Sequence, residues 1–460
     1  SWFYLTLLLI SVLTALIIST PLLFIVTKSV TYMSESADIL LNKKTIQIVG
    51  RSLLLAVTTT FFSLLISLPL SWLLQRVAIH FRRFWLIVSV IPIVIPSYVG
   101  GFLLLAALGP KGIIQQQLSV FGIERLPEVY GFWGAAIVLT LLRFPYMFLP
   151  LYSSLSKINP SLEEVSASLG KRKTKTYFNV VLPQLKPAIA TGSLLVSLSA
   201  LTDFGAVSLL NYETFTWAIY LQYQSAFNFN VAASLSTVVL IISTIFLVAE
   251  LKINRKDSQY SSSVVTKKLG RGHYKIGLWI IPSYIFMLLL FLVSIVIPMF
   301  VLSYWVYIGF RNGQSFPDVS TMVLNSLTIS LISAFVIILV SFPIAYFSVR
   351  YKRKIHLFIE RIIYIGFSLP GVVVALSLVF VGINFLTVAY QTHFLLVIAY
   401  LILFLPISTG AIRDILLTVN INLENSARSL GKNQFVVVKD IVLPLIKPGL
   451  ATGFVLSFLL

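Results

Sequence analysis

The chain has 460 residues, 58% of them hydrophobic and 11% charged, with a mean hydropathy of +0.96. Soluble domains carry roughly 25% charged residues, so this balance excludes a soluble protein and defines a membrane protein. Its net charge of +19 comes from 34 Lys and Arg against 15 acids, and zero cysteines exclude disulfides, zinc–thiolate sites and thiol catalysis.

A membrane-spanning helix needs about 20 mostly apolar residues. In chain order the runs that meet this are 2–27, 49–75, 84–108, 131–154, 187–211 and 231–251, then 277–305, 322–349, 357–383, 393–416 and 447–460. The first has no basic segment before it and no small-residue cleavage site after it, so it reads as a retained span rather than a signal peptide. Ser1 in place of a methionine reads as an excerpt or a processed start.

The basic residues lie between the spans and on alternate sides. Arg76, Arg82 and Arg83 follow the second span, and Lys157 to Lys186 follow the fourth. The stretch from Lys252 to Lys275 follows the sixth, and Arg350, Lys352, Arg353 and Lys354 follow the eighth. All fall on one side if the N-terminus is cytoplasmic, as cytoplasmic loops require. The charge excess therefore reads as membrane orientation and implies no nucleic-acid partner.

The sequence repeats itself. Ser52, Pro69, Arg76 and Pro96 match Ser326, Pro343, Arg350 and Pro370, each 274 residues on. Pro145, Glu163, Gly170, Pro183, Pro187 and Gly192 match Pro406, Glu424, Gly431, Pro444, Pro448 and Gly453, each 261 residues on. The difference of 13 places an insertion in the first copy, in the outer loop holding Gly109 to Lys111 and Ile123 to Val129. The organisation expected is a first transmembrane half over 1–256, a basic cytoplasmic linker over 257–275 and a second half over 276–460. The halves are parallel repeats of about six helices, the second short of its last helix. Prolines inside the spans, Pro69, Pro92, Pro96, Pro145, Pro343, Pro370 and Pro406, mark bends where freed carbonyls need other partners.

Within each half sits a polar island, loops 155–186 and 418–446. The first reads Glu163-Glu164-Val165-Ser166-Ala167-Ser168-Leu169-Gly170, continuing to Leu182-Pro183. The second reads Glu424-Asn425-Ser426-Ala427-Arg428-Ser429-Leu430-Gly431, continuing to Leu443-Pro444. Ser161 and Glu164 have capping-box spacing, so a helix is expected to start near residue 161 and to end at Gly170. In the second copy Asn422 takes the cap position and Gly431 the end.

Glutamate, small residues, glycine and Leu-Pro at fixed spacing resemble the cytoplasmic loop of permease subunits of binding-protein-dependent ABC importers. The resemblance implies the type I importer permease fold. It also implies a coupling helix in each loop that docks on an ATPase subunit, with Glu163, Glu164, Gly170, Glu424 and Gly431 as the coupling residues. Val165 and Ser166 stand where the family usually has alanine, and Asn425 replaces the carboxylate matching Glu164, so the two dockings are expected to be unequal. The partners implied are two cytoplasmic ATPase subunits, an extracytoplasmic binding protein and lipid. The location implied is the bacterial inner membrane.

Asp203 is the conspicuous carboxylate near a span. It either faces a translocation pathway or caps a short helix at the outer edge of span five. Asp203-Phe204-Gly205, then Thr214-Phe215-Thr216 and Ile219-Tyr220, resembles the ferric-iron branch of these permeases. Thiamine, phosphonate, polyamine or an oxyanion are the other cargoes weighed. Fe³⁺ prefers oxygen ligands, so a cysteine-free pathway suits it. No phosphate-binding Gly-x-x-x-x-Gly-Lys motif occurs, so the chain is no ATPase and is expected to need no cofactor. The rivals are an ion-coupled secondary transporter, which gives no reason for duplicated polar islands, and a membrane enzyme, for which the four scattered histidines supply no motif.

Overall fold

The computed structural model describes residues 2–31, 42–110, 112–119, 121–122, 128–158, 163, 165–166, 168–171, 173–224, 229–257, 276–314, 318–351, 354–366 and 369–459. Residues 258–275 of the expected linker over 257–275, together with Ser161, Glu164 and Arg172, lie outside them, while Asp257 ends a helix. Helices account for the fold, with no strand among the described residues. In a bilayer a helix meets every backbone hydrogen bond internally, which is why apolar runs of this length take that form.

In chain order the helices are α1 (Trp2–Thr31), α2 (Lys43–Arg76), α3 (Arg82–Val90), α4 (Ser97–Leu108), α5 (Ile113–Ser119), α6 (Phe132–Lys157), α7 (Tyr177–Gln184), α8 (Lys186–Leu201), α9 (Gly205–Leu209), α10 (Phe215–Gln224) and α11 (Phe229–Asp257). Then follow α12 (Gly277–Arg311), α13 (Val319–Arg350), α14 (Lys354–Gly366), α15 (Gly371–Asn384), α16 (His393–Thr418), α17 (Ile421–Ser429) and α18 (Gln434–Leu459). Among the described residues eight helices are long and apolar enough to cross a membrane, or nine if the pair α7 and α8, bent by 59°, counts as one. That is fewer than the eleven apolar runs, because run 187–211 lies in the bent pair and runs 231–251 and 357–383 supply only the shorter apolar helices Asn230–Phe246 and Gly371–Asn384.

Runs 84–108 and 357–383 are each broken in two, and at matching prolines. Pro96 and Pro370 both sit at φ −59°, ψ 139°, the extended residue that opens α4 and α15. Without an N–H, and with its predecessor pushed from the helical region, a proline there starts a new helix rather than continuing the old one. Run 187–211 stops at Leu201, and Gly205–Leu209 forms a separate short helix. The insertion in the first copy is filled by α5.

The chain divides into two compact units that interleave in sequence. One comprises Leu40–Leu221 with Ile241–Ser315. In it α2 and α6 pack along one another, α8 packs on both, and α12 packs on α4. The last contact sets Val301 among Leu103, Ala106 and Ala107. The other unit comprises Ser1–Ile39, Gln222–Leu240 and Phe316–Leu460. There α13, α16 and α18 form the corresponding three-helix core, and α1 packs on α13, α14 and α15. The contiguous halves of the sequence thus differ from the compact units in where α1, Gln222–Leu240 and α12 fall.

The repeat is visible in how the helices cross. At Gly192 a Cβ would stand 3.0 Å from the Met147 Cα, and at Gly453 one would stand 3.3 Å from the Ser408 Cα. Both pairs match at an interval of 261 residues. Small residues at such crossings let backbones approach closely, which replaces the hydrophobic drive that lipid does not supply. In the second copy the Ser408 hydroxyl also donates to the Gly453 carbonyl at 3.0 Å.

Candidate coupling site

In each polar island the described residues just ahead of the turn at a left-handed glycine are helical. In the second copy, α17 is capped by Asn420, whose side chain accepts from the Asn422 N–H at 2.9 Å. The cap is therefore two residues earlier than Asn422, which lies inside the first turn as the donor. At the other end the Lys432 N–H returns to the Ala427 carbonyl at 3.2 Å, and Gly431 has φ +78°. The first copy closes in the same way. There the Lys171 N–H bonds the Ser166 carbonyl at 3.2 Å, and Gly170 has φ +74°. This six-to-one closure needs the left-handed residue that glycine takes without a Cβ penalty.

The two glutamates point inward. Glu163 is 4% exposed and Glu424 is fully buried. In the first copy, Arg76 at the end of α2 places its Nε 2.9 Å from Glu163 Oε1 and donates from Nη2 to the Ile158 carbonyl at 3.0 Å. In the second, Arg350 at the end of α13 places its Nε 2.6 Å from Glu424 Oε1 and donates from Nη2 to the Val419 carbonyl at 3.0 Å. The correspondence holds atom for atom, since Ile158 and Val419 share the interval of 261 residues with the glutamates. One guanidinium thus ties three pieces together: the span it ends, the extended residue that closes α6 or α16, and the coupling helix. Its planar fork of donors makes arginine suited to this, where a lysine would offer a point charge.

Sequence reasoning placed Arg76 and Arg350 in the repeat and read them only as markers of orientation. The missed signal was that both close an apolar run and recur with the island glutamates, the arginines at an interval of 274 residues and the glutamates at 261. Glu424 has two further neighbours, the Tyr346 hydroxyl, which donates to Oε2 at 3.0 Å, and Arg428, whose Nη2 lies 3.7 Å from that oxygen.

After the glycine both copies pass through a π-helical turn, Tyr177–Val181 and Val438–Val442, directly before Leu-Pro. Leu182 donates to the Tyr177 carbonyl and Leu443 to the Val438 carbonyl, five residues back. A proline next in line crowds the carbonyl four residues before it, and the wider turn makes room. Beyond it the copies differ, the first bending by 59° into α8 and the second running on through α18 as one span.

With the glutamates turned in, the outward surface carries exposed apolar side chains among its polar ones. Leu169 is 71% exposed and Leu430, its match, 81% exposed, each just before the left-handed glycine. Val165, Ile421 and Leu423 are exposed beside them, and Asn425 is exposed too. Such leucines, on a short polar helix, are the kind of surface a partner covers.

Asp203 caps a helix and holds a charge as well. Its Oδ1 accepts from the Ala206 N–H at 3.0 Å at the start of α9, and its Oδ2 lies 3.4 Å from Arg143 Nη2 on α6. The Thr216 hydroxyl donates to its carbonyl at 2.5 Å. The Arg143 guanidinium also lies 5.8 Å from the centre of the Tyr146 ring. Gly205 lets this elbow press against the start of α4, where a Cβ would stand 2.6 Å from the Tyr98 nitrogen.

An all-helical repeat carrying two such loops defines a transport subunit, and comparison with known proteins agrees. Residues 79–255 and 337–460 match the family described as the binding-protein-dependent transport system inner membrane component. The chain belongs to that family, the permeases of binding-protein-dependent ABC importers, which are multi-pass inner-membrane transport components rather than enzymes. It is 32% identical to the Fe(3+)-transport system permease protein FbpB 2 of Haemophilus influenzae, over 99% of this chain and 87% of that one. It is 26% identical to the ferric transport system permease protein FbpB of Actinobacillus pleuropneumoniae, over 90% of this chain and 63% of that one. The sulfate transport system permease protein CysT of Salmonella typhimurium is 25% identical over 50% of this chain and 82% of its own length.

Proposed function

We propose that this permease imports ferric iron, driven by ATP hydrolysed on two separate ATPase subunits, one docked at each coupling loop. The observation that carries the coupling reading is the duplicated Arg–Glu–carbonyl bridge. It makes each coupling helix a rigid extension of a span, so that a movement imposed by a docked ATPase is passed into the membrane. Iron as cargo is supported by the named ferric permeases among the relatives and by the near-complete span of the first of them. An extracytoplasmic binding protein would deliver the ion, and alternating access of the two halves would carry it inward.

The loops 155–186 and 418–446 face the cytoplasm in this reading, with the N-terminus on the same side. Single cysteines at Ser168 and Ser429 are then shielded from impermeant label added outside intact cells. Strong labelling of both from outside would reverse the orientation.

Glu163, Glu424, Gly170 and Gly431 shape the coupling helices in this reading, while Leu169 and Leu430 meet the ATPase. Glu164 supplies a carboxylate that Asn425 lacks, so Glu164→Ala is expected to weaken docking more than Asn425→Ala. Equal losses in an ATPase pull-down would remove that asymmetry.

Asp203 and Arg143 are proposed to line the pathway, the carboxylate offering an oxygen ligand at low dielectric, where charge interactions are strong. Asp203→Asn keeps the cap, since Asn and Asp cap about equally, and removes the charge opposite Arg143. Uptake of radioactive Fe³⁺ should fall roughly tenfold, the effect of losing about 1.4 kcal/mol, while ATPase association persists. Uptake at the wild-type rate would leave Asp203 only its cap. Absence of iron uptake by the intact wild-type system would discard iron in favour of another small solute.

A further inference from the structure

We propose that Tyr346 is a positioning residue for coupling, its hydroxyl stapling both arms of the second coupling loop to α13. The phenol sits between two groups that the loop brings from opposite sides of its glycine turn. It donates to Glu424 Oε2 at 3.0 Å and accepts from Gln434 Nε2 at 2.6 Å. Glu424 lies on α17, before Gly431, and Gln434 opens α18, after it. A single buried hydroxyl on the span thus fixes the helix that enters the turn and the helix that leaves it.

The chemistry suits the task. A phenol both donates and accepts, which lets it bridge a carboxylate and an amide; a tryptophan has only a donor. Trp72 and Lys173 occupy the matching positions of the first copy, so the phenol–amide link belongs to the second. The Tyr346 ring is held independently of its hydroxyl, with the Phe342 ring centre at 5.7 Å and that of Tyr351 at 6.2 Å. Removing the oxygen therefore leaves the packing in place.

This inference rests on the coupling role of loop 418–446. The test is Tyr346→Phe in the complete complex, reconstituted in vesicles with the ATPase and binding protein and supplied with Fe³⁺ on that binding protein. ATPase co-purification and thermal stability should stay near wild type. Iron transported per ATP hydrolysed should fall roughly tenfold, as for loss of one hydrogen bond to a carboxylate. Gln434→Leu, at a half-buried position, should lower the ratio in the same direction, and the double variant should be no worse than Tyr346→Phe alone. It also stands in if Tyr346→Phe fails to accumulate. An unchanged ratio in Tyr346→Phe, or strictly additive losses in the double variant, overturns the staple. If Glu424→Ala also leaves ATPase binding intact, the coupling reading itself fails, and the two failures are distinct.

Discussion

Glu424→Ala is expected to abolish uptake and ATPase association while the protein remains in the membrane. The carboxylate is fully buried, with Arg350 at 2.6 Å and the Tyr346 hydroxyl at 3.0 Å. Removing one partner of a buried ion pair leaves the other uncompensated and typically costs about 3–5 kcal/mol. Arg350 is itself almost buried, so it cannot recover that loss by turning to water. The cost falls on the loop, because α13 is itself packed against α16 and α18. Glu163→Ala and Arg76→Ala should act in the same direction on the first loop. Co-purification of the ATPase, beside an immunoblot of the membrane fraction, separates lost docking from lost protein. Normal docking by Glu424→Ala would show that the bridge holds nothing the partner needs.

Gly205→Val is expected to destabilise the permease itself, with little folded protein recovered in detergent. A Cβ there would stand 2.6 Å from the Tyr98 nitrogen and 3.0 Å from its Cα, and backbone atoms cannot move aside as a flexible side chain can. Forcing extra atoms into a packed site costs about 1–3 kcal/mol, and more when the obstacle is rigid. The start of α4 is such an obstacle, because Pro96 fixes where that helix begins. Gly170→Val and Gly431→Val make the contrasting pair, since nothing lies within 4 Å of either position. Their cost is the left-handed backbone alone, about 1–2 kcal/mol. They should spare folding and impair docking, measured as a small change in melting temperature with a large drop in bound ATPase. A melting temperature for Gly205→Val equal to that of Gly170→Val would contradict the packing argument.

Much of this was legible in the residues, and the omissions share a physical cause. Duplicated islands at a constant interval marked the coupling loops, and a glycine at the matching position of each marked where its helix ends. Positive φ at Gly170 and Gly431 followed from that pattern. The inward turn of Glu163 and Glu424 did not, because a glutamate in the first turn of a surface helix usually faces water. Only the three-dimensional approach of Arg76 and Arg350 reverses that preference. Hydropathy likewise hid the breaks at Pro96 and Pro370, since one apolar run continues across each, and the prolines alone marked a bend there. The placement of α1 was hidden too, for a helix apolar all round does not say which neighbour it will take. Asp203 was read as either cap or pathway residue. The cap hydrogen bond is present, and the charge it holds toward Arg143 needed the fold to be seen.

The account stands or falls on whether the duplicated bridges transmit ATP hydrolysis to the membrane. The direct measurement is Fe³⁺ uptake by vesicles containing the whole complex, comparing wild type with Arg76→Ala/Arg350→Ala. Wild-type uptake should require ATP and the loaded binding protein and persist with a protonophore, and the double variant should lose it. Uptake that continues without ATP and collapses with the ion gradient would contradict the account, and so would full ATP-driven uptake by the double variant.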